Sequence, residues 1–178
     1  MTNTLSKYLL AGLAACFTVL PSFARVDPGT TDLLNLVESY GVNIQFNTAI
    51  CDQGHAGSFK VTNSLPIITL CIDEDNITAD DHDTVRHEVW HLVQYCATPA
   101  TSSVLHPLLK DRQKHAEFIS YGLSGFTIER IRADYRDDHE RIELEAFAAA
   151  EIFSAEFIGE TVVNHCTPMR TNRPIQGA

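Results

Sequence analysis

The chain contains 178 residues, of which 44% are hydrophobic and 20% are charged, with nine glycines and seven prolines. This composition is typical of one ordinary globular domain and excludes a disordered tail or a collagen-like repeat. The 13 basic side chains against 23 acidic ones give a net charge of −10, and no cluster of Lys and Arg could follow a phosphate backbone. We therefore expect no nucleic-acid partner.

Residues 1–24 have the pattern of a secretory signal peptide. A polar start that carries one charge, Lys7, precedes an apolar run at residues 8–20, and the small residues Ser22 and Ala24 stand before Arg25. The run has 13 residues, and spanning a bilayer takes roughly 20. No other stretch is long and apolar enough to span a bilayer, so we expect no membrane span. With the signal peptide removed, we expect a domain at residues 25–178 that is secreted or periplasmic.

The same segment permits a second interpretation. Residues 13–16 read Leu-Ala-Ala-Cys, which resembles the bacterial lipoprotein signal, and Cys16 would then be lipidated and anchor the protein. Residues 17–20 stay apolar after that cysteine, where a polar tether is more usual, so we favour conventional cleavage. On either interpretation Cys16 takes no part in a disulfide within the domain.

The domain begins with a predicted helix at residues 32–40, which has apolar residues at helical spacing and Thr30 or Thr31 as its cap. Alternating or β-branched patterns then predict two to four strands, at residues 42–47, 59–62 and 66–72. From residue 80 onward the pattern is mainly helical, with helices predicted at residues 84–95, 110–121 and 139–158. A polar, Pro-containing segment at residues 166–178 predicts a loose tail.

Four cysteines remain after Cys16 is set aside, and an even number in an exported chain predicts two disulfides. Three connectivities are possible, and no Cys-x-x-Cys pair favours a zinc site instead. Our preferred pairing joins Cys51 to Cys71 across the strand region and Cys96 to Cys166 at the C-terminus. The second bridge would tie the two helices that we expect to share a metal ion.

The chemistry is concentrated at residues 87–91, which read His-Glu-Val-Trp-His. On a helix, residues four apart lie on one face, so His87 and His91 can reach the same ion. Glu88 is rotated by about 100° around the axis, where it can act on water without binding the ion. Zinc lowers the pKa of water, and the Glu accepts its proton as the water attacks a carbonyl group. The motif therefore predicts Zn²⁺ as cofactor and Glu88 as general base.

This segment resembles the zincin metallopeptidases, both in the motif and in the residues that flank it. The metzincin subclass has a Gly and a third His where this chain has Gln94 and Ala97, and it is excluded. The remaining resemblance is to the gluzincins, and it implies a small α+β zincin-like domain in which a Glu from a later helix, usually with Ala three residues on, is the third ligand.

Two glutamates fit that element, Glu143 with Ala146 and Glu145 with Ala148. A helical wheel places Glu145 on the apolar face and Glu143 on the polar boundary, so we predict Glu145 as the third ligand and keep Glu143 as the alternative. His106 and His115 stay open as more remote choices.

The resemblance also implies groups around the ligands. The Asp or Asn often found four residues after the ligand Glu is Phe147 or Ala149 here, so hydrogen-bond support for the histidines must come from elsewhere. Transition-state stabilisation usually needs a donor besides the metal. The candidates between the ligand helices are Tyr121, Tyr135 and His139.

The sequence thus predicts an α+β fold: a short N-terminal β-sheet with one flanking helix, then a mainly helical half that carries the metal site, with two disulfides. The predicted function is an exported zinc-dependent metallopeptidase that hydrolyses peptide bonds in a peptide or protein substrate. The alternative is a non-catalytic secreted binding module that retains a structural zinc site. The sequence does not predict the natural substrate or the oligomeric state.

Overall fold

The computed structural model describes residues 28–74, 77–99, 104–135 and 138–168. The predicted signal peptide, Cys16 and the predicted tail from residue 169 onward lie outside these ranges. The described residues form an α+β fold, as predicted, with these elements in chain order: α1 Pro28–Ser39, β1 Asn43–Phe46, a 3-10 helix Cys51–Gln53, β2 Gly57–Thr62, β3 Leu65–Leu70, α2 Ala79–Ala97, α3 Arg112–Gly122, α4 Gly125–Asp134, α5 Asp138–Ile152 and α6 Ala155–His165.

The three strands form one sheet in the order β1-β3-β2. β1 runs parallel to the central strand β3, and β2 is antiparallel to it, with Phe59 opposite Ile68. Asn63 and Ser64 connect β2 to β3 with φ values of 52° and 63°, the pair of positive values that a tight two-residue hairpin requires. Because β2 is at the end of the strand order, it is an edge strand, and among the described residues β3 is its only strand partner.

Helix α2 is the centre of the molecule and packs against α1, α5, α6, β2 and β3. It begins earlier than predicted because the Asp81 carboxylate accepts a 2.7 Å hydrogen bond from the Thr78 N–H and holds the first turn. Its apolar residues surround it, and five of them are at most 3% exposed: Val85, Val89, Trp90, Leu92 and Val93. A helix that is apolar nearly all round is buried, as this one is.

The single helix predicted at residues 139–158 is instead two helices, α5 and α6. Helix α5 ends at Ile152 and α6 begins at Ala155. The Ser154 hydroxyl oxygen between them accepts a hydrogen bond from the Phe157 N–H at 3.3 Å and caps α6. The break lets α6 pack against α1 and α2, while α5 lies along α2 and α3. The sequence prediction also missed α4, the short helix before α5.

Both predicted disulfides are confirmed, Cys51 with Cys71 and Cys96 with Cys166. The first joins the 3-10 helix to the residue after β3. The second joins the end of α2 to Cys166, which is 8% exposed and follows α6. Because α5 and α6 are separate helices, this bridge ties α2 to α6 and not to the helix that carries Glu143 and Glu145. Within the described ranges, no helix is long and apolar enough to cross a bilayer.

Candidate metal centre

Three ligand atoms converge between α2 and α5. The His87 Nε2 and His91 Nε2 atoms are 3.1 Å apart, and the Glu143 carboxylate oxygens lie 3.3 Å from the first and 3.6 Å from the second. Two ligands of a tetrahedral zinc ion, with bonds of about 2.0–2.1 Å, lie about 3.3 Å apart. The spacing therefore fits one shared ion, and this trio is the candidate metal group among the described residues.

The structure places Glu143 beside the histidines, where we expected Glu145. Glu145 is fully buried, as the wheel predicted, but its carboxylate accepts hydrogen bonds at 2.8 Å from the backbone N–H groups of Leu108 and Leu109. The expectation differs from the structure because a ligand must face the cleft between the helices. That cleft lies at the polar boundary of α5, where Glu143 is located, and not on its most apolar face.

Local packing fixes the two ligand helices against each other. The Ala146 side chain, one turn after Glu143, is fully buried and leaves room for α5 to approach α2. The Phe147 ring lies 4.3 Å from the His87 ring, centroid to centroid. Arg86 donates a 2.9 Å hydrogen bond from Nε to the Ala150 carbonyl. The small residue therefore allows the close approach, and the ring and guanidinium contacts hold it.

Glu88 lies beside the trio with one oxygen unsatisfied. Its side chain is buried, and Oε2 has no hydrogen-bond partner among the described residues. Burial raises the pKa of Glu88 to about 7, and the charge of Glu143 acts in the same direction while His91 opposes it. A buried carboxylate without a partner is costly. Its free oxygen fits a site where water or a substrate group is bound.

The three candidate ligand side chains influence one another's pKa. Burial lowers the pKa of His87. Burial acts in the same direction on His91, but its contacts with Glu143, Glu88 and Gln94 raise its pKa overall. Burial opposes ionisation of Glu143, yet hydrogen bonds with the two histidines hold the pKa of Glu143 down at about 2. The site thus has an ionised carboxylate beside two imidazoles, a donor set that zinc accepts.

The trio and Glu88 open into a cleft of about 1080 Å³. Strand β2 forms one wall, where the Phe59 ring lies 6.2 Å from the His91 ring. Of the three predicted donors, Tyr135 and His139 line the cleft. Tyr121 is 82% exposed and does not. Burial, with the charges of Glu143 and Glu88, raises the pKa of Tyr135 to about 12.

The remaining histidine candidates are not ligands in this arrangement. His115 is buried, and its Nε2 lies 3.0 Å from the Arg141 carbonyl oxygen. His106 bonds through its backbone N–H to the Thr98 hydroxyl at 2.9 Å. Neither belongs to the candidate metal group.

Gln94 is a site residue that the sequence prediction missed. It follows the motif on α2, is fully buried, and lies with its Oε1 atom 2.8 Å from His91 Nδ1. Its spacing of three residues from His91, on the same helix face, was the available signal. From the sequence, Gln94 excludes the metzincins and is expected on the packing surface of its helix, with no role toward His91.

Comparisons with known proteins give no relative: no protein-family model matches the chain, and no curated protein or solved structure matches it either. Any function must therefore be inferred from the side chains of the cleft.

Proposed function

We propose that this protein is an exported zinc-dependent metallopeptidase. The observation that supports it most is the convergence of His87, His91 and Glu143 on one point, with the buried and unsatisfied carboxylate of Glu88 beside them. Two disulfides are consistent with an oxidising compartment, and a signal peptide at residues 1–24 would account for export.

The donor set favours zinc. Two imidazole nitrogens and one carboxylate are the ligands of catalytic zinc sites that leave a fourth position open. Zinc held in this way supplies Lewis acidity, which acidifies water and polarises a carbonyl group. His87, His91 and Glu143 would hold the ion.

Glu88 is the proposed general base. It is not among the three ligands, and its free Oε2 can accept a proton from water as a peptide carbonyl is attacked. A pKa of about 7 lets the same carboxyl group release that proton to the departing amine. Tyr135 is the proposed donor to the developing oxyanion, because a phenol with a pKa of about 12 stays protonated at neutral pH.

An extended peptide is the substrate that suits the cleft. β2 is an edge strand and its residues Gly57–Val61 line the cleft. The outer backbone groups of an edge strand can pair with an added peptide strand, which would lie across Glu88 and His91. The alternative proposal, a non-catalytic binding module, uses the same metal group as a structural clip.

Replacing Glu88 separates these two proposals. We expect Glu88→Gln to bind zinc at the wild-type stoichiometry but to lose at least about a hundredfold in turnover of a diverse fluorogenic peptide library, because the general base is gone. Glu151→Gln, on the exposed side of α5, is the matched control and should keep full turnover.

Metal analysis of the purified proteins completes the test. Wild type should hold one equivalent of zinc, and Glu143→Ala should lose it. A wild type that holds zinc but cleaves no peptide in the library would favour the binding module. A wild type without zinc would contradict both proposals.

A further inference from the structure

A chain of hydrogen bonds links the His91 imidazole to a buried carboxylate through one amide. Gln94 Oε1 lies 2.8 Å from His91 Nδ1. On its other side, Gln94 Nε2 donates to Glu145 Oε2 at 2.9 Å and to the Ile142 carbonyl at 3.0 Å. Gln94 and Glu145 are both fully buried, so water does not compete for these bonds.

The partners of Gln94 fix which way its amide points. Carboxylate and carbonyl oxygens only accept hydrogen bonds, so the group that faces Glu145 and Ile142 must be the NH₂. The amide oxygen therefore faces His91 and can only accept, which requires a proton on His91 Nδ1. The Nε2 lone pair of neutral His91 is then directed toward Glu143 and His87, as metal binding requires.

Glu145 holds Gln94 in this orientation. Its two oxygens accept three hydrogen bonds, one from Gln94 and one each from the backbone N–H groups of Leu108 and Leu109. These bonds connect α2, α5 and the segment before α3 through one carboxylate. A buried carboxyl group whose oxygens are satisfied in this way is held rigidly, and removing it would leave the Gln94 NH₂ and the two backbone N–H groups without this acceptor.

We propose that Gln94 and Glu145 are positioning residues, which together set the Nδ1–H tautomer of His91 and aim its Nε2 at the metal. This inference rests on the proposed metal site, since it assigns a role to groups behind one of its ligands. It also explains why Glu145 is buried beside the site without being a ligand.

The amide suits this position better than either simple alternative. A carboxylate at residue 94 would face the Glu145 carboxylate, and two like charges at this distance cannot both stay ionised. An apolar side chain would leave His91 Nδ1–H without its acceptor and would remove one hydrogen bond each from Glu145 Oε2 and the Ile142 carbonyl. Only a group that accepts on one side and donates on the other satisfies all of them.

Exchanging the side chains of residues 94 and 145 tests this chain of hydrogen bonds. Gln94→Glu and Glu145→Gln should each weaken zinc binding by about 10–100-fold in a chelator competition. The double variant restores an acceptor for His91 and a donor from residue 145 to residue 94. It should recover part of that affinity and not all of it, because the new amide NH₂ cannot also accept the Leu108 N–H bond and the new carboxylate cannot donate to the Ile142 carbonyl. Glu151→Gln, on the same helix as Glu145 but exposed, is the control for a charge change alone. A double variant that binds zinc no more tightly than the single variants would overturn the proposed positioning role.

The His91 tautomer gives a second readout that needs no metal and no activity. Imidazole ¹⁵N chemical shifts of the zinc-free protein, measured in alkaline solution where histidine is neutral, should show the proton of His91 on Nδ1. In Gln94→Met, with thermal unfolding to establish that the variant is folded, we expect a mixture of tautomers. A wild-type proton on Nε2 would overturn the proposal. Failure of wild type to bind zinc contradicts the proposed function instead, and the tautomer measurement tells the two failures apart.

Discussion

Glu88 combines near-complete burial with a raised pKa, and the two together make the stability of the zinc-free protein depend on pH. The pKa is about 7 in the folded chain and about 4.3 in an unfolded one. The folded state therefore holds this proton more tightly. The stabilising contribution is fully present below about pH 4.3 and is lost as the pH rises through about 7.

We expect zinc-free Glu88→Gln to be more stable than zinc-free wild type at about pH 8, by up to about 3 kcal/mol, because it has no charge to bury. The difference should shrink toward about pH 5, where the folded wild type is protonated. Urea unfolding at both pH values measures it. The low pKa of Glu143 acts in the opposite direction, but it is common to both proteins. Equal stability at both pH values would contradict the raised pKa of Glu88.

Gly57, the first residue of β2, lies close to the Glu88 side chain. A Cβ atom at this position would lie 2.7 Å from Glu88 Oε1 and 2.9 Å from its Cγ. We expect Gly57→Ala to displace the carboxylate and lower turnover by about a hundredfold, since small misplacements of a catalytic group have effects of that size. Zinc stoichiometry should not change, because Glu88 is not one of the three proposed ligands.

Gly125→Ala is the matched control for this substitution. A Cβ at Gly125 meets no atom within 4 Å, so turnover should stay at the wild-type level. Loss of zinc in Gly57→Ala would show that the substitution disturbs α2 as a whole and not Glu88 alone.

Helix α5 shows which features of the site the spacing of apolar residues can predict. The wheel correctly identified Glu145 as the buried glutamate, and the motif correctly predicted that His87 and His91 face one point. Periodicity does not report which face of a helix meets a cleft, so the burial of Glu145 does not place its carboxylate beside the two histidines. The cleft side of α5 depends on how β2 and α2 pack, which involves contacts distant in sequence.

The division between α5 and α6 was missed for a related reason. Apolar residues continue through residues 142–158 with nearly constant spacing, and Ser154 is a modest interruption in that pattern. Its role as a cap becomes visible only when α6 has a surface to pack on, against α1 and α2. The strands, in contrast, lie close to their predicted positions because the alternation of apolar and polar residues is a local signal.

The cap at Ser154 can be tested directly. We expect Ser154→Ala to lower the free energy of unfolding by about 1 kcal/mol, the usual cost of removing such a cap. Ser120→Ala is the control, because Ser120 is exposed, its hydroxyl donates to the Glu117 carbonyl within its own helix, and alanine favours a helix interior. Urea unfolding compares the two. A loss no larger than that of the control would contradict the capping role.

The two disulfides constrain the whole chain to different extents. Cys96 and Cys166 are 70 residues apart in sequence, and Cys51 and Cys71 are 20 apart. Closing loops of these lengths stabilises by about 4 and about 3 kcal/mol in the chain-entropy description. The longer bridge connects α2 to α6, one helix beyond Glu143.

We therefore expect the Cys96→Ala and Cys166→Ala double variant to lose about 4 kcal/mol of stability and still bind zinc at wild-type stoichiometry while folded. Unfolding in urea and metal analysis on the same samples measure both quantities. The Cys51→Ala and Cys71→Ala double variant is the comparison and should lose slightly less stability. If the folded variant without Cys96 and Cys166 loses zinc, this bridge is needed to hold α2 and α5 together at the proposed metal site.

The outer edge of β2 also favours self-association of this protein in solution. Unpaired backbone groups on an edge strand can pair with a second copy as readily as with a peptide, and Val61 beside this edge is 40% exposed. The net charge of −10 repels such copies, and salt weakens that repulsion. If the protein has the proposed function, self-association and peptide binding would compete for the same row of hydrogen bonds, and concentrated protein in high salt should show lower peptidase activity.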